Sequence, residues 1–116
     1  MDVLLDEHEE MLKNSAREFF EQECPPDLVR AMEADERGYP PDLWRKIADL
    51  GWLGFGLPQT YGGEGAPLEQ IGLLLEEVGY AAAPLPFFST IVPALTLAEA
   101  GSETQRQTIL PRLREW

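Results

Sequence analysis

A chain of 116 residues, 44% hydrophobic and 26% charged, has the size and composition of one ordinary globular domain rather than a disordered tail, a collagen-like rod or a coiled coil. Its net charge of -12 is unevenly placed, with 13 acids against 4 bases in residues 1 to 42. Such a surface repels phosphates and anionic lipid, so neither nucleic acid nor a membrane is expected as a partner, and the acids read as a solvated helical face.

The first helical period runs from about Asp6 to Glu23, with Leu5, Leu12, Ala16, Phe19 and Phe20 recurring at helical spacing, a capping pair in Asp6 and Glu9, and a stop at Pro25-Pro26. A short helix is expected from Asp27 to about Ala34. Pro41-Asp42 opens a third, carrying Leu43, Trp44, Ile47, Ala48 and Leu50, with Gly51 placed as a left-handed cap. The stretch "LGWLGFGLPQTYGGEGAPLEQ" (50–70) follows, and then a fourth helix on Leu68, Ile71, Leu74, Leu75 and Val78, with Pro67 in its first turn. "AAAPLPFFST" cannot be regular helix throughout, and Ser89 or Thr90 is expected to cap the fifth helix, "IVPALTLAEAG". That segment is apolar on nearly every side and so is expected to be the buried central element, with Pro93 in its first turn or at a kink. Ser102 and Gln105 have capping-box spacing, and a last helix carries Ile109, Leu110 and Leu113 before Pro111 disturbs it. No segment alternates as a strand does. The expected fold class is all-α: about six helices in an orthogonal or up-down bundle around a buried central helix, with no sheet.

Little in this sequence carries chemistry of its own. Cys24 is the lone cysteine and His8 the lone histidine, too few for a metal site, and the thiol has no histidine beside it to act as base. Glu76 and Glu77 are neighbours on a helix and point about 100° apart, so they need not share a site; one of them salt-bridged to an arginine is the plainer expectation. The lone cysteine fits a reducing compartment, and the acidic start lacks the basic flank of a signal peptide and the arginines of a transit peptide, so a cytoplasmic location is expected.

Two loops stand out. "TYGGEG" lacks both the dinucleotide fingerprint and P-loop spacing, and no strand precedes it. Gly62, Gly63 and Gly65 read instead as turn glycines permitting positive φ, while Tyr61, Trp52 and Phe55 pin the loop to the helices. In "PLPFFST", Phe87 and Phe88 lead into the apolar fifth helix, where they either line an apolar pocket or belong to plain core packing.

Taken together, "GYPPDLWRKIADLGWLGFGLPQTYGGEG", "LLLEEVGYAAA" and "AGSETQRQTILPRL" resemble the N-terminal helical domain of the acyl-CoA dehydrogenase family. The resemblance rests on the Pro-x-x-Leu-Trp helix, the Pro-x-x-Tyr-Gly-Gly-x-Gly loop and the Gly-Ser-Glu-x-Gln-Arg-x-x-x-Leu-Pro ending, in that order and over nearly the whole chain. It implies one helical domain over residues 1–116, without the middle β domain and second helical domain with which the family continues. It also implies α,β-dehydrogenation of an acyl-CoA thioester in the full-length enzyme, where a carboxylate takes the α-proton and the β-hydrogen leaves as hydride to FAD. Most FAD contacts and the glutamate base belong to the missing parts, so no catalytic residue and no bound cofactor are expected in this chain alone. The resemblance further implies an electron-transfer partner and a homo- or hetero-oligomer. It places one wall of the acyl pocket at Phe87, Phe88, Ser89, Thr90 and Ile91. "PLPFFST" departs from the small-residue run of many straight-chain enzymes and is closer to relatives acting on bulkier acyl groups, some of them heteromeric pairs. A non-catalytic helical module that docks on a partner chain, or a carrier for acyl groups, is the competing reading.

Overall fold

The computed structural model describes residues 4–115 and contains six α-helices with two short 3-10 segments: α1 (Glu7–Glu23), α2 (Pro26–Glu33), α3 (Pro41–Asp49), α4 (Leu68–Tyr80), α5 (Phe87–Ala100) and α6 (Glu103–Ile109), with 3-10 turns at Gln59–Tyr61 and Leu110–Glu115. No strand occurs among the described residues, as the all-α expectation requires. Met1 to Val3 and Trp116 lie outside them.

The helix boundaries follow from local chemistry. Asp6 and Glu9 form a complete capping box at α1, with the Glu9 amide donating to Asp6 Oδ1 at 2.8 Å and the Asp6 amide to Glu9 Oε1 at 3.1 Å. Ser102 and Gln105 do the same at α6. Helix α3 ends in a Schellman motif: Gly51 sits at φ +81°, its amide donates to Ala48 O and the Trp52 amide to Ile47 O. Helix α4 ends the same way through Ala83 and Val78, but Ala82 holds the left-handed position, at φ +50°.

One cluster forms the core. Ala16 and Phe20 of α1, Leu43 and Ile47 of α3, Ile71 and Leu74 of α4, and Phe87 and Ile91 of α5 meet Leu110 and Leu113 from the C-terminal turn. The glycine-rich segment belongs to this core, contributing Trp52, Leu53 and Leu57. Trp52 stands edge-on to Phe19 at 5.3 Å and tilted over Phe20 at 5.8 Å, which ties the loop to α1.

The molecule is a slab of 42 × 39 × 20 Å with a radius of gyration of 14.8 Å, against ~13 Å for a compact chain of this length. Twenty ångström is two helices deep. In a layer that thin a helix buries one side and leaves the other outward, and α5 does so. Phe87, Ile91 and Ala94 are buried, whereas Phe88 and Val92 are exposed. The helix expected as the buried central element is therefore buried along one stripe, Phe87, Ile91 and Ala94.

Candidate functional site

Helix α5 begins three or four residues earlier than a cap at Ser89 or Thr90 would place it. Pro86 occupies the cap position without a side-chain bond, and the hydroxyls of Ser89 and Thr90, expected as caps, lie inside the helix and donate back to Pro86 O at 3.3 and 2.6 Å. Starting the helix at Phe87 decides which way each side chain of the candidate wall points. Phe87 and Ile91, one turn apart, enter the core; Phe88 is 64% exposed, Ser89 is exposed and Thr90 is half-buried. The five residues named from the sequence thus divide into two that hold the helix down and three that face outward or sideways.

Beside the outward set lies an apolar groove of about 330 Å³, where Ser89, Thr90, Pro93 and Leu97 of α5 stand across from Ile109 and Leu113. That volume falls within the range of small-ligand pockets. Its lining carries no ionisable side chain. A hydrocarbon chain or ring is the chemistry such a lining accepts.

The geometry of the glycine loop is set by its backbone. Gly62 and Gly65 take φ of +87° and +68°, as expected, but Gly63 does not; there the constraint is close approach, since a Cβ would collide with the Leu57 carbonyl and come to 2.6 Å from Gly54 O. Backbone bonds close the loop on itself: Gly65 N donates to Leu57 O, Glu64 N to Gly54 O, and Ala66 N to Phe55 O. The Tyr61 hydroxyl donates to the Glu103 carboxylate at 3.0 Å, fastening the loop to α6.

The acidic pair separates cleanly. Glu76 is exposed, while Glu77 is 1% exposed and receives two bonds from Arg17, Nε to Oε2 at 2.9 Å and Nη2 to Oε1 at 3.1 Å. The guanidinium also lies 4.0 Å from the centre of the Tyr80 ring. Its hydrogen bond to Glu77 holds Arg17 more firmly protonated than usual. Periodicity does not reveal this pairing across sixty positions; the one hint was the place of Arg17 between Ala16 and Phe20, at the edge of the apolar stripe. Cys24 is buried nearby, and burial pushes its thiol pKa upward, away from nucleophile chemistry. No cluster of side chains suited to a metal ion occurs among the described residues, and none of their helices is long and apolar enough to cross a membrane.

The family model described as acyl-CoA dehydrogenase, N-terminal domain, matches residues 6–115. Among curated proteins, the acyl-CoA dehydrogenase IpdE2 of Mycolicibacterium smegmatis is 32% identical over 98 residues, which is 84% of this chain and 32% of that protein. The acryloyl-CoA reductase (NADH) of Anaerotignum propionicum is 34% identical over 117 residues, covering 97% of this chain and 29% of its own. Among solved structures, the variant Tcur3481-Tcur3483 steroid ACAD superposes with a TM-score of 0.85 at 38% identity, over 94% of this chain and 30% of the other. The ChsE4-ChsE5 complex from Mycobacterium tuberculosis gives 0.86 at 26% identity, over 98% of this chain and 32% of the other. The chain spans about a third of the length of these relatives. A slab of six helices, one apolar face left open and a sequence match running nearly end to end agree on one assignment: the chain belongs to the acyl-CoA dehydrogenase family, as its N-terminal domain.

Proposed function

We propose that this chain serves a flavin-dependent acyl-CoA dehydrogenase, an enzyme of α,β-dehydrogenation of acyl-CoA thioesters, by supplying one wall of the acyl pocket. The observation that carries the reading is the outward half of α5, which leaves Phe88 and Val92 exposed and, on its Ser89, Thr90, Pro93 and Leu97 side, borders a largely apolar groove. Phe88 is the bulky element of that wall. An acyl group wider than a straight chain suits it, and the structural neighbour that is a steroid ACAD supports the same direction.

FAD itself does not fit this face. Its diphosphate needs cations or free N–H donors; α5 contains no basic residue, and its two groove hydroxyls donate to Pro86 O. In this reading the flavin and the proton-abstracting carboxylate are held by polypeptide other than these helices. The chain's own part is to orient the acyl tail and keep water from it.

Assembly with other chains, an electron-transfer partner and a cytoplasmic setting complete the proposal. The ChsE4-ChsE5 complex and the Tcur3481-Tcur3483 steroid ACAD among the structural neighbours support a hetero-oligomer, and an acidic chain with one buried thiol suits a reducing compartment. The test is to express the complete gene product, record its visible absorbance, and add acyl-CoA thioesters under anaerobic conditions. A flavin band that bleaches on addition is the expected result. A complete product that carries no flavin, alone or with its partner chain, and oxidises no acyl-CoA would leave the non-catalytic docking module instead.

A further inference from the structure

We infer that α6 is the movable far wall of the acyl cleft, and that Tyr61 and Glu103 are positioning residues that set where it stands. The groove beside α5 runs on past Pro93 and Leu97, since a second hollow of about 440 Å³ shares those two residues and reaches Ala100, Gly101 and Gln105. From Ser89 to Gly101 the cleft follows ~18 Å of helix. Helix α6 borders it at both ends, through Gln105 on one hollow and Ile109, one turn on, at the other.

Helix α6 is held to the layer beneath it mainly by polar ties. None of its residues is buried, whereas α1, α3, α4 and α5 each bury two or more. The Tyr61 hydroxyl meets both Glu103 carboxylate oxygens at 3.0 Å, while the Arg106 guanidinium donates to Glu99 O at 3.3 Å and Leu97 O at 3.5 Å, beyond the usual N–H···O range. The hydroxyl contact is the shortest of these side-chain ties. Past Ile109 the chain is fixed, because Leu110 and Leu113 enter the core. So α6 swings about its C-terminal end and its Gln105 end travels furthest, since an element with no buried residue opens at a free energy well below that of global unfolding. Closed, it gives an acyl chain a second side to lie against.

The inference rests on the acyl-pocket reading for what fills the cleft, and its test needs neither flavin nor turnover. Hydrogen exchange of the 116-residue chain is followed by NMR with and without 1-hexanol, a neutral probe for an apolar cleft. A ligand held by the closed form slows α6 opening in proportion to its occupancy, so the amides of Gln107, Thr108 and Ile109 should exchange more slowly with hexanol present. Helix α2, which also buries no residue but borders neither hollow, should not respond. Tyr61→Phe should speed exchange in α6 about 2- to 10-fold, the worth of one net hydrogen bond, and leave α2 unchanged. Glu103→Gln keeps an acceptor for the hydroxyl and should stay closer to wild type. Tyr61→Phe placed on Glu103→Ala should add nothing. Exchange in α6 that ignores hexanol, or a Tyr61→Phe variant that leaves α6 unchanged or alters α2 as much, overturns the inference. An inactive complete enzyme whose α6 still responds would remove the acyl reading alone.

Discussion

Arg17 on α1 and Glu77 on α4, sixty positions apart, are joined by a two-bond fork at 2.9 and 3.1 Å, with the carboxylate buried and the guanidinium 37% exposed over the Tyr80 ring. Helices α1 and α4 pack along one another, and this is the ion pair between them. Because the two partners differ in exposure, losing one is not equivalent to losing the other.

Arg17→Met strands a carboxylate without water or partner, whereas Glu77→Gln leaves a guanidinium that solvent and the Tyr80 ring still receive. The urea midpoint is expected to fall further for Arg17→Met. The double variant should lose less than the two singles together, because the second change has no partner left to strand. Equal midpoints for the singles would show that the fork carries no such asymmetry.

Adjacent phenylalanines should respond in opposite ways. Phe87→Ala removes a fully buried ring and is expected to cost about 3–5 kcal/mol of unfolding free energy. Phe88→Ala, on an exposed ring, should stay within about 0.5 kcal/mol. In the complete enzyme Phe88→Ala should instead change relative kcat/KM between straight-chain and branched or bulky acyl-CoA substrates; an unchanged ratio removes Phe88 from the wall.

Backbone geometry predicts an order among small substitutions. Gly63→Ala drives a Cβ into the Leu57 carbonyl and should cost about 3 kcal/mol or more, while Gly62→Ala, at φ +87° in open space, should cost about 1–2 kcal/mol. Ala82→Gly, at φ +50° in the cap of α4, should stabilise by about 1 kcal/mol. Thermal or urea unfolding of the three variants checks the ranking.

Acid titration should expose Asp35. The Arg37 amide donates to its Oδ1 at 2.8 Å and holds the carboxyl below its ordinary value of 3.8, with the Gly38 amide and the Arg37 charge adding to this and burial opposing it. A lowered folded-state pKa stabilises the fold above the unfolded value and is lost as pH falls through the folded one. The stability gap between wild type and Asp35→Asn should therefore be level from pH 7 to about 5 and shrink below about 4. A gap that widens on acidification would contradict the cause assigned.

What could be foreseen from the sequence is what depends on near neighbours. The capping boxes at Asp6 and Ser102, the Gly51 turn and most of the apolar stripes of α1, α3 and α4 are each written within a few residues and stand where the periodicity places them, whereas Leu50 and Leu68, at helix ends, are exposed. Helix α5 resisted because composition reports how apolar a segment is, not whether this chain is what covers it. Its start is not marked by its hydroxyl residues, because Ser89 and Thr90 have capping chemistry but donate to Pro86 O, and the division between Phe87 and Phe88 follows from that start. Gly63 and the Arg17 fork depend on approach between distant segments, which no window of sequence contains.

The self-bonded loop between α3 and α4 has a consequence for how this protein can change over generations. Because its path is dictated by main-chain atoms and three aromatic anchors, the exposed tip at Gln59 and Thr60 carries almost no structural duty. Those two positions are free to drift, and a lineage could fashion a new contact surface there without its helices registering the difference.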